Sequence, residues 1–128
     1  MSVREQLVTY ALAGLPVGLL VGLGLGLVAR RPDGWGGYAS FPRRATRLAH
    51  VALVMLPLIA GAYALLLDAS ALARPGALWA ARLWITGGVL LPLALFVAAW
   101  RPRLAPLVVP PALCLTSAAC LFAYVHLS

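Results

Sequence analysis

Apolar residues run almost unbroken through four stretches of this chain, at about 6–29, 45–67, 78–100 and 104–127, and the polar residues gather between them. At about 1.5 Å per residue, each run is long enough as a helix to cross about 30 Å of hydrocarbon. The pattern predicts an all-α integral membrane protein, a four-helix bundle forming one transmembrane domain over residues 1–128. Each run contains proline: Pro16, Pro57, Pro92, and the set Pro106, Pro110 and Pro111. In water these would argue against long helices. In a bilayer nothing but the helix itself satisfies the backbone, so they predict proline-kinked spans rather than breaks.

The first run follows Arg4, as the core of a secretory signal would. Its apolar core is too long for that, and it ends in Val28, Ala29, Arg30 and Arg31 without a small-residue cleavage pattern, so it reads as a span. The connections differ in kind. Residues 30–44 form the longer one, punctuated by Pro32-Asp33-Gly34 and Gly36-Gly37, with Trp35, Tyr38 and Phe41 suited to the headgroup layer. Residues 68–77 carry Asp68, Arg74 and the turn pair Pro75-Gly76. Arg101-Pro102-Arg103 is so short that the spans it joins must be antiparallel neighbours.

Charge then orients the bundle. Arg30, Arg31, Arg43, Arg44, Arg47, Arg101 and Arg103 fall at one end, and Arg4, Arg74 and Arg82 at the other, so the positive-inside rule predicts N-out/C-out. The aromatic residues divide accordingly, with Tyr10, Tyr63, Trp79, Trp84 and Tyr124 expected near the outer interface and Trp35, Tyr38, Phe41 and Trp100 near the inner one.

Composition agrees and narrows the chemistry. The chain is 63% hydrophobic, against roughly half for a soluble domain, so water is not its solvent. The net charge of +7 sits in clusters between apolar runs rather than along a polar face, which fits anionic lipid at the cytoplasmic face and not nucleic acid. Every basic residue is arginine, which excludes a Schiff-base lysine. Cys114 and Cys120 lie well over half a helical turn apart, so a disulfide between them is not expected. No metal site is expected, because the two cysteines and two histidines do not cluster at ligand spacings. No catalytic residue is expected either. Glu5, Asp33 and Asp68 all lie near span boundaries, and the missing intramembrane carboxylate also weighs against a coupled transporter.

Two features remain as candidate sites. Gly14, Gly18, Gly22 and Gly26, with Gly24 between, recur at four-residue spacing inside a leucine and valine run. A phosphate-binding loop would need a preceding strand and a lysine or ribose-binding acid, and none is in place. Four-residue spacing instead makes a bare helical ridge against which another backbone can approach, belonging either to this bundle or to another chain. Gly87 and Gly88, with Ala80, Ala94 and Ala98, supply small residues to the third span, and Ala112, Thr116, Ala119 and Ala123 do so in the fourth.

The second feature is His50, one turn beyond Arg47 and about 7 to 8 Å into its span. A histidine there, with Arg47 and Arg43, has the chemistry to hold haem b or a quinone. It also suits an ordinary hydrogen-bonded interfacial position. His126 should stand about 25 Å from it along the membrane normal, which weighs against a bis-histidine haem within one chain. Arg82, between Trp79 and Trp84, suits snorkelling to headgroups or an interchain ion pair.

The segment Arg43–His50 together with Thr86–Trp100 resembles small uncharacterised four-span proteins of the bacterial inner membrane. The resemblance implies a multi-pass bacterial inner-membrane location and no activity. The expected role is therefore a non-catalytic subunit of a larger inner-membrane assembly, respiratory or otherwise electron-transferring, whose partners are other integral-membrane subunits and which carries no cofactor of its own. The alternatives are a haem- or quinone-binding subunit using His50, and a small oligomeric transporter or channel.

Overall fold

The computed structural model, which describes residues 1–127, contains four helices long and apolar enough to span a membrane, and no strand among the described residues. Helix α1 (Val3–Ala29) begins with a capping box: Glu5 N donates to Ser2 Oγ at 3.2 Å, and Ser2 N donates to Glu5 Oε2 at 2.6 Å. That box carries the helix back to Val3, before the apolar run starts. A 3-10 turn (Gly34–Gly36) leads to α2 (Phe41–Leu66), whose N-cap Ser40 accepts from Arg43 N at 3.4 Å.

After α2 comes a single helical turn, α3 (Ala69–Leu72), then α4 (Pro75–Trp100), a 3-10 stretch (Pro102–Val108) and α5 (Val109–Leu127). Pro75 and Gly76 thus open α4 instead of making a turn, and Arg43 and Arg44 sit in the first turn of α2 rather than in the connection. The reason is the same at both places. Proline is pre-shaped for the first helical turn, where its missing N–H would have had no acceptor. Pro110 and Pro111 likewise fall in the first turn of α5, so the fourth span enters through a 3-10 stretch where a mid-helix kink was expected. Pro16, Pro57 and Pro92 lie inside α1, α2 and α4, which continue through them.

Helices α2 and α4 pack together as the central pair. On one flank α1 lies mainly on α2 and partly on α4; α5 lies on α4 and makes no extensive contact with α1. The core is built of alanines, Ala60, Ala64, Ala80, Ala81 and Ala118, around a few large groups, Leu7, Trp84, Leu115 and Phe122. Alanine cores bring backbones close. Where lipid removes any hydrophobic drive for helices to associate, that closeness supplies the van der Waals contact which holds them.

Two expectations are corrected by this packing. Trp84 is buried in the interior rather than facing an interfacial belt, and the half-buried Tyr63 packs against it. Tyr63 stacks on Phe122 (centroids 4.3 Å apart, 26° between planes) and meets Trp84 edge-on at 5.3 Å, and Trp84 Nε1 donates to Leu56 O at 3.1 Å. The indole N–H has found a carbonyl, so it has no need of water or headgroups. In α5 the inward row is Pro111, Leu115, Ala118, Phe122 and Val125, whereas Thr116 and Ala123 are exposed. Large residues of α5 meet the small ones of α4, so α5 did not need a small-residue face of its own.

Arginines close the helix ends. Arg4 Nη2 donates to Leu67 O at 3.1 Å at the end of α2, and Arg74 Nη1 donates to Val125 O at 2.6 Å near the end of α5. At the other end Arg43 Nη2 donates to Ala29 O (3.1 Å), in the last residue of α1, and Nη1 to Pro32 O (3.3 Å) just past it. The bonds to Ala29 O and Val125 O satisfy last-turn carbonyls that the helices leave without a donor, and each arginine places positive charge near the negative end of a helix dipole. Loss of this helix-end contact in Arg43→Ala should therefore cost about 0.3–1 kcal/mol, apart from any other contact the side chain makes. It should also raise hydrogen exchange in residues 27–36 more than elsewhere, which mass spectrometry of the detergent-solubilised protein would measure.

Candidate functional site beside His50

The glycine ridge of α1 descends along α2 in antiparallel register. Gly14 lies on the ring of Pro57, Gly18 on Leu53 O and the Val54 side chain, and Gly22 on the imidazole of His50. The middle contact follows from the proline. Pro57 has no N–H to give to the carbonyl four residues earlier, so Leu53 O is left without its helical donor, and Gly18 presents bare backbone against it. Gly87 and Gly88 work as a pair in the central helix: Gly87 admits Pro111 O, Leu115 and Cys114 of α5, and Gly88 admits the Tyr10 hydroxyl of α1. Adjacent residues on a helix point about 100° apart, so one dipeptide serves both flanks.

The ridge does not continue to its end. A Cβ on Gly26 would meet nothing within 4 Å, and the same holds for Gly24, which lies off the ridge. Past Gly22 the helices stand apart, and a cleft of about 240 Å³ opens, lined by Gly22, Gly26, Trp35, Tyr38, Arg47 and His50 among others.

The connection between α1 and α2 roofs this cleft. Trp35 is the one described non-glycine residue in the left-handed region (φ 58°, ψ 35°), followed by Gly36 at φ 82° and Gly37 at φ 89°. This tight reversal is held by Ser40 Oγ, which donates to Trp35 O at 2.6 Å. It sets the Trp35 ring edge-on to Trp100 of α4 (5.4 Å, 83°). Arg47 lies over the Tyr38 ring at 4.2 Å from its centre and Arg43 at 5.6 Å, each contact worth about 0.5–1 kcal/mol at an exposed site.

The three residues proposed from the sequence, His50, Arg47 and Arg43, therefore all line one cleft. Their situations differ. Arg43 is engaged with the end of α1, and Arg47 rests on Tyr38. The His50 imidazole has no hydrogen bond among the described residues. Its Nδ1 is sealed within the protein, and Thr46, one turn earlier, donates its hydroxyl to Pro42 O at 2.7 Å instead. The other ring nitrogen, Nε2, is not sealed.

Sequence reasoning missed the roof, which depends on long-range contact. Trp35 and Tyr38 were legible only as residues for a headgroup layer, although the Gly36-Gly37 pair marked the reversal that aims them.

The remaining candidates lie elsewhere. His126 is exposed at the far end of α5, against a second cleft with Tyr63. Arg82 rests over the Trp79 ring at 5.7 Å near the start of α4. Both cysteines are free thiols. No group of three or more His, Cys, Asp or Glu comes together among the described residues. Comparison of the chain with protein-family models, with characterised proteins and with solved structures finds no match.

Proposed function

We propose that this chain is a small integral-membrane subunit of a larger bacterial inner-membrane assembly, of the respiratory or electron-transfer kind, without catalytic chemistry of its own. The observation that carries the reading is how the polar side chains are employed. Arg4, Arg43 and Arg74 cap helix ends, Thr46 and Thr116 bond their own helices, and Trp84 ties α4 to α2. The machinery serves helix packing. Outside it, α1 presents Leu12, Leu19, Leu20, Leu23 and Leu27, all exposed, as a face for lipid or for neighbouring subunits.

In this reading both termini lie outside the cytoplasm. Arg30, Arg31, Arg44, Arg101 and Arg103, at the opposite end, meet anionic headgroups of the cytoplasmic leaflet. A cysteine introduced at Ser2 in a Cys114→Ser, Cys120→Ser background should react with a membrane-impermeant maleimide added to spheroplasts, while one at Ala39 should react only after lysis. The reverse pattern would invert the topology.

Affinity purification of the tagged chain from bacterial membranes, followed by native mass spectrometry, tests the subunit role. Co-purification of other membrane proteins at fixed stoichiometry supports it. A chain released alone, or as a homo-oligomer that passes solute in liposomes, refutes it in favour of a transporter or channel.

A further inference from the structure

We propose that the cleft between α1 and α2 binds the head ring of a membrane quinone, with His50 Nε2–H donating to a quinone carbonyl. The polarity of the imidazole decides the class of ligand. A neutral imidazole carries one proton. Placing it on Nδ1 would bury an N–H that has no acceptor among the described residues, whereas an empty Nδ1 lone pair is the smaller penalty. The proton therefore belongs on Nε2, the nitrogen left accessible beside the cleft.

A donor at that position selects an acceptor. It also argues against haem. Iron would need the lone pair of Nε2, which forces the proton onto Nδ1, and a metal-bound histidine almost always gives that second N–H to a partner that Nδ1 lacks here.

Shape points the same way. At about 240 Å³ the cleft is smaller than the roughly 300–1,000 Å³ of sites for drug-sized ligands, which suits a single substituted ring better than a macrocycle. Gly22 and Gly26 give it a flat wall, and Trp35 and Tyr38 line it with aromatic surface. Its lining is largely carbon. Of its cations, Arg43 is occupied with the carbonyls at and just past the end of α1, so a neutral ring suits the cleft better than a phosphate. Glycine at 22 is part of the device, because a Cβ there would occupy the place of His50 Cε1.

The proposal concerns binding by the isolated chain and stands or falls independently of any partner subunit. The probe is decylubiquinone, titrated into the full-length protein in phosphatidylcholine nanodiscs, with Trp35 and its neighbours as fluorescence reporters. Saturable quenching is expected. His50→Leu should weaken it roughly three- to tenfold, the worth of one hydrogen bond, while His50→Gln, which keeps a donor, should stay within about threefold of the parent.

Circular dichroism and gel filtration identify any variant that misfolds. Should His50→Leu do so, Tyr38→Leu, in the exposed roof, takes its place with the same expected direction. Quenching that rises linearly and equally in parent and variants overturns the proposal. So does a Soret band that appears with added haem and vanishes in His50→Gln. Quenching abolished by replacing a fifth of the phosphatidylcholine with phosphatidylglycerol would assign the cleft to a lipid headgroup and overturn it as well.

Discussion

Gly18→Leu should separate α1 from the rest of the bundle. A Cβ at this position would stand 2.9 Å from Leu53 O and 2.9 Å from Val54 Cγ2, with Leu53 C at 3.1 Å. Two of these three are backbone atoms of α2, so no rotamer change relieves the contact. The helices must move apart. Overpacking a core costs about 1–3 kcal/mol when side chains can yield, and more is expected here because backbone must yield. Separation would also forfeit the neighbouring contacts of Gly14 with Pro57 and Gly22 with His50, since all three depend on one approach distance.

Gly24→Leu supplies the control. It sits on the same helix, in a similar run, with nothing within 4 Å of its would-be Cβ, and should change stability by less than about 0.5 kcal/mol. Unfolding in mixed micelles of increasing SDS fraction would measure both. Equal loss in the two variants would mean that glycine content in α1, not the fit against α2, is what matters.

The difference between those two glycines marks how far the sequence could be read. Four-residue spacing put Gly14, Gly18, Gly22 and Gly26 on one ridge because the period of a helix is local and fixed. Whether that ridge met α2 or another chain depended on register, which no periodicity encodes. The structure pairs Gly14, Gly18 and Gly22 with α2 and leaves Gly26 open. The four long apolar helices were legible for a similar reason, since length and apolarity are properties of a segment alone, whereas the starts of α1 and α2 lie earlier than the apolar runs, where Ser2 and Ser40 cap them.

Two misreadings came from treating residues singly. Trp84 looks like an interfacial aromatic until Leu56 O is seen to accept its proton, and Thr116 looks like a packing residue until Leu115 is seen to face Gly87 instead. The candidate site was half legible. His50, Arg47 and Arg43 follow from helix spacing, but the cleft exists only because the 30–40 connection folds back over it, through contacts such as Trp35 with Trp100 that span much of the chain.

Trp84→Ala carries the second large expectation. The indole is 5% exposed, at the centre of the α2–α4 pair, edge-on to Tyr63, which in turn stacks on Phe122 of α5. It joins α2 to α4 directly and, through Tyr63, reaches the α5 flank. Truncating a buried tryptophan in a water-soluble core costs about 3–5 kcal/mol. Part of that figure is transfer free energy that lipid does not supply, so the low end, about 3 kcal/mol, applies here.

Trp84→Phe divides the cost. It keeps most of the ring while deleting the Nε1–H that Leu56 O accepts, and should lose only about 0.6–1.7 kcal/mol, from the average to the maximum found for hydrogen bonds between membrane helices. The ratio of the two losses, read from the same SDS titration, then says what joins α4 to α2. If Trp84→Phe costs as much as Trp84→Ala, the single hydrogen bond dominates and ring packing is incidental. If the alanine variant costs two to five times more, as about 3 against 0.6–1.7 kcal/mol implies, close packing is the main force, and the alanine-lined core around Trp84 is what sets the fold.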